Sequence, residues 1–396
     1  MKIAMVGLFP RDPARLLGGV EAVTLRLAEG LAAREEVELH VVVASLAWER
    51  GTFPAPGRTI HSVGGSRLLG NVLLGLPMRR RIAAAIRRID PDVVHAHSAD
   101  AFALGALDSG YPTVVTIHGL IEAENRLARA PMQRLRAAFR DRIVGEALRR
   151  AQNVILLSPY VREHYGDALA HARSWVIENP VAPLFFETTG DPEPDRVLFS
   201  GLLIPRKGLR NLIDAFRIAS RERPALRLRL AGLDTDGAYR RALDERVARL
   251  GLVGRVDFLG GLSPERLAEE YARAAMTVLV SRQDTAPVAV QEAMAVGRPV
   301  IASPVGGLPR LVADGESGFL VPHGDPDALA RRIVEIAGDA PLARRMGRFA
   351  RAEAERRFSS SAVAAKTIDV YKEVASGDRR GRTAVTRPSK GGGGSA

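Results

Sequence analysis

Two carboxylates separated by seven residues are placed to bind one polar ligand. Asp284 and Glu292 flank a stretch that contains Pro287. A buried strand is predicted just before Asp284, and Pro287 falls in the first turn of the next helix, where its missing N–H is tolerated. Asp284 then lies at the carboxyl end of the strand, and Glu292 lies one to two turns inside the helix. Both face a helix amino terminus, whose free N–H groups suit a phosphate or a polar sugar.

A pair of cations follows another predicted strand. Arg206 and Lys207 stand just before a helix that begins at Leu209. Arg offers phosphate a bidentate fork and Lys a point charge, so the pair can hold a diphosphate. For both motifs the alternative is structural: Asp284 only caps its helix, Glu292 is solvated, and the cations form an exposed basic turn.

Glycines mark a third candidate contact with a ligand. Gly18 and Gly19 lie between the first predicted strand and a helix that starts at Val20. Glycine lets a ligand approach the backbone and exposes the N–H groups of the helix. The chain has no GxGxxG at this point, which argues against a dinucleotide-dependent oxidoreductase.

Three histidines fall at the carboxyl ends of predicted strands. His118 is placed to face the cleft that two parallel-sheet domains would form between them. A structural His in a loop is the alternative. We expect His95 and His97 to point to opposite sides of their strand, so they do not predict a paired metal site.

The elements that must position these residues alternate between strands and helices. Short β-branched segments separated by helical patterns predict parallel sheets with crossover helices, in two halves joined by a proline-rich linker at 178–194. The fold class is therefore α/β, with two Rossmann-like doubly wound domains that face a central cleft, where the carboxyl ends of the strands bind ligands. The predicted strands are 3–8, 37–43, 93–96, 113–117, 154–157, 197–200, 226–231, 256–259, 277–280 and 300–302.

The composition narrows the class of protein. The chain has 396 residues and no Cys, which excludes disulfides, thiolate metal sites and Cys nucleophiles. No apolar run approaches the roughly 18 residues of a transmembrane helix. The amino-terminal segment is interpreted as a first strand rather than a signal peptide, so a cytoplasmic location is expected.

The positive charge is dominated by arginine. Lys and Arg total 57 against 45 Asp and Glu, a formal net charge of +12. Residues 78–88 carry five Arg and no acid on a predicted amphipathic helix, which can contact an anionic membrane at the inner face of the cell. The alternative is a compositional bias toward Arg with no partner. Nucleic acid is not favoured, because aromatic residues for stacking are few.

Together these motifs resemble the retaining glycosyltransferases of family 4, which have the GT-B architecture. The resemblance extends over residues 1–375 and is strongest at 284–301, followed by Ser303-Pro304-Val305-Gly306-Gly307 and by 314–319. It implies transfer of a hexose from a UDP- or GDP-linked sugar to a glycan, lipid-linked or small-molecule acceptor. Synthesis of bacterial surface polysaccharide or glycoconjugate is the implied context, with no cofactor and no metal.

The resemblance also implies roles for the candidate residues. Asp284 would contact the transferred sugar, Glu292 the ribose hydroxyls, and His118 the sugar near the reaction centre. The diphosphate would be held by two cations and approached by the glycines of the first domain. The implied catalytic residues are His118, Asp284, Arg206 and Lys207, and the implied donor-binding residues are Gly18, Gly19, Arg206, Lys207, Asp284, Thr285, Ala286, Pro287 and Glu292.

This sequence departs from the family pattern at two positions. Asp284 stands where Glu is usual, and Leu202 follows Gly201 where Arg is common, so Arg206 is expected to replace that charge. A non-catalytic nucleotide-sugar binder and a GT-B nucleotide-sugar epimerase therefore remain as alternatives.

The sequence also predicts domain limits. We expect an acceptor-side domain at 1–180 and a donor domain at 181–358. A helix at 359–375 is expected to pack back toward the first domain, and 376–396 is expected to be disordered.

Overall fold

The first domain is built on an eight-stranded sheet. The computed structural model describes residues 1–13, 18–45, 47–64, 75–120, 131–235 and 237–385. The strand order is β3-β4-β2-β1-β5-β6-β7-β8, and all neighbours are parallel except β3 and β4, which form an antiparallel hairpin at the edge. The strands are β1 Lys2–Val6, β2 Glu38–Val43, β3 Gly51–Ala55, β4 Arg58–Ser62, β5 Val93–His97, β6 Thr113–Ile117, β7 Asn153–Leu156 and β8 Arg173–Val176.

The second domain is built on a six-stranded parallel sheet. Its order is β11-β10-β9-β12-β13-β14. The central strands β9 and β12 are neighbours, so the loops that follow them meet at one edge of the sheet. The strands are β9 Glu193–Ser200, β10 Arg227–Ala231, β11 Val256–Gly260, β12 Ala274–Leu279, β13 Val300–Ala302 and β14 Gly318–Leu320.

Helices cover both faces of the sheets. Within the described ranges, no helix is both long enough and apolar enough to cross a membrane. The helices are α1 Gly19–Ala32, α2 Leu76–Ile89, α3 Ala101–Leu107, α4 Pro131–Arg150, α5 Pro159–Tyr165, α6 Pro183–Glu187, α7 Leu209–Glu222, α8 Gly237–Arg249, α9 Pro264–Arg273, α10 Val288–Ala295, α11 Leu308–Leu311, α12 Pro326–Gly338, α13 Ala340–Phe358 and α14 Ser360–Val385.

The α/β fold class with two parallel-sheet domains is confirmed. Every predicted strand has a counterpart in the two sheets. The sequence missed the edge hairpin β3–β4, the edge strand β8 and the three-residue strand β14. β3, β8 and β14 are edge strands and β4 pairs with the edge strand β3. Such strands lack the long buried apolar runs by which central parallel strands are recognised in a sequence.

The last helix returns to the first domain. Val363, Ile368 and Tyr371 of α14 are buried together with Leu25 and Leu31 of α1, in the layer that covers one face of the first sheet. The helix continues to Val385, so the expectation of disorder is wrong for residues 376–385. Residues 386–396 of the expected tail lie outside the described residues.

Candidate functional site

Asp284 and the two predicted cations form one cluster. Lys207 Nζ donates to Asp284 Oδ2 at 2.6 Å, and Ser281 Oγ donates to the same oxygen at 2.9 Å. Arg206 Nη1 lies 3.6 Å from Asp284 Oδ1. Asp284 is only 6% exposed, so a buried carboxylate is compensated by two cations and a hydroxyl. The structure therefore brings together three residues that the sequence placed in two separate motifs.

The cluster is built by two loops that are bonded along their backbones. The loop after β9 ends in a short 3-10 turn at Pro205–Lys207, and Arg282 N donates to Arg206 O at 2.8 Å. Gly208 has φ of +73°, and a Cβ there would lie 2.1 Å from Val280 O. Only glycine permits this approach, which aims Arg206 and Lys207 at the carboxyl end of β12.

Two glycines in the loop after β13 contact Asp284 from the other side. Gly306 has φ of +57°, and a Cβ there would lie 1.9 Å from Asp284 O. Gly307 N donates to that same carbonyl at 3.0 Å. Residues 303–307 of the family pattern therefore position the Asp284 backbone.

The motif at 314–319 has a different place. Leu320 N donates to Asp314 Oδ1 at 2.9 Å, and a Cβ on Gly318 would lie 1.8 Å from Val300 O. These contacts set strand β14 against β13. The motif thus serves the sheet rather than the cluster.

Glu292 lies inside α10 and faces a buried tyrosine. Tyr271 of α9 has its hydroxyl 3.2 Å from Glu292 Oε2 and 3.0 Å from Ala289 O. Burial raises the pKa of Glu292 to about 7. The Tyr271 hydroxyl has one proton and can donate it to only one of these two oxygens. A protonated Glu292 can therefore donate to the Tyr271 oxygen while Tyr271 donates to Ala289 O. Pro287 is the residue that caps α10, one position before the first turn that the sequence predicted for it.

Tyr271, Ser158 and Asn179 were missed by the sequence analysis. Ser158, which caps α5 two residues after β7, donates to Thr285 O at 3.2 Å, and Asn179 Nδ2 donates to Ala286 O at 3.0 Å. The loop between the two carboxylates is therefore tied to the first domain and to the linker. No local pattern announces such contacts, because the partners are more than a hundred residues apart in sequence.

His118 follows β6 and contacts another histidine. Its Nε2 lies 2.9 Å from His97 Nδ1, and the His97 ring lies 4.2 Å from the His95 ring. The expectation that His95 and His97 point to opposite sides is wrong, because residues two apart on a strand share a face. His95 Nδ1 in turn lies 2.6 Å from the hydroxyl of Tyr371 on α14.

The three histidines are neutral at physiological pH. Burial lowers the pKa of His95 to about 3 and that of His118 to about 4, and it holds the pKa of His97 well below its ordinary value. His97 Nε2 is buried without a hydrogen-bond partner among the described residues. Burying an unpaired lone pair at His97 Nε2 costs less free energy than burying an unpaired N–H. The proton of His97 is therefore favoured on Nδ1, from which it is donated to His118 Nε2.

The predicted glycines leave the amino end of α1 open. Gly18 caps the helix and Gly19 is its first residue. A Cβ at either would meet no atom of the described residues within 4 Å, which leaves room on that side for a ligand to approach the backbone. Leu202, the other departure from the family pattern besides Asp284, is 39% exposed. Over the described ranges, His, Asp and Glu side chains form no group of three that could hold a metal ion.

Each domain of this chain matches the model of a known protein family. The family model described as "Glycosyltransferase Family 4" matches residues 17–183, and the one described as "Glycosyl transferases group 1" matches 183–353. The D-inositol 3-phosphate glycosyltransferase of Streptomyces scabiei is 30% identical over 92% of this chain and 88% of its own length.

Solved structures share the fold. Sucrose-phosphate synthase from Thermosynechococcus elongatus matches with a TM-score of 0.79 and 24% identity, over 95% of this chain and 99% of that one. Anabaena Alr3699/HepE, solved in complex with UDP and glucose, matches with a TM-score of 0.72 and 21% identity, over 94% of this chain and all (100%) of that one.

Proposed function

The chain belongs to the glycosyltransferases of family 4, and we propose that it transfers a sugar from a UDP-sugar with retention of anomeric configuration. The observation that carries the proposal is the cluster of Arg206, Lys207 and Asp284 beside the amino end of α10. UDP is preferred to GDP because the structural neighbour HepE was solved with UDP.

The proposed donor spans the two domains. Its diphosphate contacts Arg206 and Lys207, and the ribose hydroxyls bond to Glu292. The sugar lies between Asp284 and His118. The helix amino end at Gly18 and Gly19 approaches the diphosphate from the first domain, since no atom of the described residues would lie within 4 Å of a Cβ at either glycine. Thr285, Ala286 and Pro287 line the site between the carboxylates.

The proposed reaction breaks the bond between the anomeric carbon and the β-phosphate oxygen. A new bond forms from the anomeric carbon to the acceptor oxygen, and the acceptor proton passes to the departing diphosphate. Negative charge grows on the diphosphate as the bond breaks, so Arg206, Lys207 and the N–H groups of α10 stabilise the transition state. With that charge compensated by side chains, we propose that transfer requires no divalent metal and survives EDTA.

Thermal shifts with UDP, GDP and ADP and their sugar conjugates test the donor site. UDP and a UDP-sugar should raise the melting temperature, since a ligand at 100 times its Kd adds about 2.7 kcal/mol. At pH 8, where Glu292 is mostly ionised, Glu292→Gln should reduce the shift, because the ribose hydroxyls lose a charged acceptor worth about 1–3 kcal/mol. Glu269→Gln, an exposed helix carboxylate paired with Arg266, is the matched control and should keep it. No shift with any nucleotide would contradict the proposal.

Proton NMR of the product tests the chemistry. An α-linked donor should give an α-linked product. An inverted product contradicts retention, release of an epimerised nucleotide sugar indicates an epimerase, and binding without turnover or donor hydrolysis indicates a non-catalytic binder.

The acceptor and location are proposed more broadly. We propose a glycan, lipid-linked or small-molecule acceptor in bacterial surface polysaccharide or glycoconjugate synthesis, in the cytoplasm at the inner face of the membrane. The curated relatives are named for D-inositol 3-phosphate, so a phosphorylated polyol is the first small acceptor to assay. Peripheral contact with an anionic membrane through α2 stays a prediction, and it fails if the protein does not sediment with anionic vesicles.

A further inference from the structure

A cavity of about 890 Å³ lies on the outer flank of the first domain, between α2 and the edge hairpin β3–β4. Its floor contains Thr52, His40 and His61 on one face of the sheet, with His40 Nδ1 3.0 Å from His61 Nε2. Hydrogen-bonding groups thus replace the apolar side chains usual beneath a helix. The small side chain of Ala84 on α2 leaves the space open. We call this cavity the basic groove.

The arginines of α2 that face away from the basic groove are satisfied. Arg79 Nε and Nη2 donate to Asp108 at 2.9 and 3.1 Å. Arg87 donates to the backbone carbonyls of Asp108 at 2.6 Å and of Ser109 at 3.3 Å. Their charge is therefore used within the domain, to hold α2 against the end of α3.

The arginines that face the basic groove have no such hydrogen-bond or ion-pair partners among the described residues. Arg80, Arg81 and Arg88 line it, and no carboxylate within the described ranges pairs with them. Lys2 and Arg50 add two further cations to its lining. One helix therefore carries arginines of two kinds, and those without partners converge on one cavity.

Two carboxylates lie where Lys2 enters the basic groove. Glu38 Oε1 is 3.0 Å from His40 Nε2 and 3.9 Å from Lys2 Nζ, and Asp92 accepts from the backbone N of Lys2 at 2.9 Å. They can offset Lys2 but leave the arginines uncompensated. The unbalanced positive charge of the groove thus comes from α2 and Arg50.

We propose that the basic groove binds a ligand through phosphate groups, at a site separate from the donor site. Guanidinium groups match phosphate oxygens in bidentate geometry, and three converging arginines attract more than one negative charge. The volume lies in the range of small-molecule sites, and the floor of His and Thr offers bonds to hydroxyls or further phosphate oxygens. Such phosphate can belong to a soluble phosphorylated molecule or to a phospholipid headgroup.

Calorimetric titration with inorganic pyrophosphate tests the site. The donor site also offers two cations, so the titration is repeated on Arg206→Gln/Lys207→Gln, where binding should persist. Arg80→Gln/Arg81→Gln/Arg88→Gln should weaken it by about tenfold or more, because bidentate contacts are lost. Arg344→Gln/Arg345→Gln/Arg348→Gln removes the same charge from an exposed face of α13 and should leave binding unchanged. Both triple substitutions should keep the melting temperature of the wild type, because the replaced arginines of α2 and α13 have no carboxylate partner among the described residues.

Several outcomes would overturn the proposal. They are no pyrophosphate binding to the wild type, loss of binding only when Arg206 and Lys207 are replaced, and equal weakening by both triple substitutions, which would be a net-charge effect. None depends on the UDP thermal shift, so failure of the donor assignment is recognised separately.

Vesicles identify the source of the phosphate. If phosphatidylglycerol in phosphatidylcholine vesicles sediments the wild type, and pyrophosphate or the α2 triple substitution prevents it, a headgroup occupies the basic groove. If pyrophosphate binds and the vesicles do not, the ligand is a soluble phosphorylated molecule.

Discussion

Asp284 is tied to the cations that are proposed to hold the diphosphate. Its Oδ2 accepts from both Lys207 and Ser281, so this short side chain is anchored to the turn from which it projects. A longer Glu, usual in the family, would reach further toward a sugar. Here the carboxylate both competes with a phosphate for Lys207 and fixes where the ammonium points.

Asp284→Asn should separate these two effects. Removing the charge leaves Arg206 and Lys207 without a competing anion, so UDP should bind at least as tightly as to the wild type. Hydrolysis of the UDP-sugar should slow by about tenfold or more, because the sugar loses a charged hydrogen-bond acceptor. Calorimetry with UDP and a hydrolysis rate check the pair. Parallel loss of binding and rate would show that Asp284 merely supports the fold.

Glu292 should make stability depend on pH in a known direction. Its pKa is raised to about 7 from an ordinary 4.5, so its stabilising contribution is complete below 4.5 and is lost as pH rises through 7. Between pH 5 and 8, the free energy of unfolding of the wild type should fall relative to Glu292→Gln by up to about 3 kcal/mol. Denaturant titrations without nucleotide measure it.

The comparison of the wild type with Glu292→Gln removes the histidines' contribution to the pH dependence of stability. His95, His97 and His118 have lowered pKa values, so their contribution is lost as pH falls below 6.5, equally in both proteins. A difference between the two proteins that does not vary with pH would mean that Glu292 is ionised throughout.

At the scale of elements, the loops after β9, β12 and β13 are packed backbone against backbone. Gly208, Gly306 and Gly307 permit contacts that any Cβ would block. The sequence revealed these loops because glycine and proline punctuate the chain at fixed places after apolar strands. It could not reveal Ser158 or Asn179, whose partners lie more than a hundred residues away, or Tyr271, whose contact depends on how α9 packs against α10. The shared face of His95 and His97 was within reach, since strand periodicity alone dictates it.

Gly306→Ala should damage the site more than the fold. Its φ of +57° strains an L residue, and its Cβ would collide with Asp284 O. We expect a loss of about 1–3 kcal/mol in stability together with a large loss of UDP affinity. Gly251→Ala is the control, because its φ is +67° but a Cβ there meets no atom within 4 Å. Melting curves and UDP titrations compare them, and equal UDP affinity in both variants would refute the role given to Gly306.

Across the whole molecule, the two segments that connect the domains run side by side. Val181 N donates to Phe358 O at 2.8 Å, and buried Glu178 pairs with Arg357 at 2.8 Å. Asn179 lies between Glu178 and Val181 in the sequence, and its side chain donates to Ala286 O in the loop of the proposed donor site. The connection between the domains is thus continuous with the proposed donor site.

Truncation tests how far the first domain depends on α14. A chain ending at Phe358 loses the buried apolar residues of that helix, each worth about 1.5–3 kcal/mol, and their sum is comparable with the stability of a whole domain. We expect it to aggregate. A chain ending at Gly377 keeps those buried residues and should melt near the full-length temperature. Solubility and melting curves decide, and a soluble, cooperatively folded short chain would contradict the expectation.

A crystal structure of the complex with UDP tests the central claim most directly. The account predicts the diphosphate within hydrogen-bond distance of Arg206 and Lys207, and the ribose hydroxyls on Glu292, in the cleft that Gly18 and Gly19 face. UDP bound elsewhere, or in the cleft with its ribose away from Glu292 and its phosphates away from both cations, would contradict it.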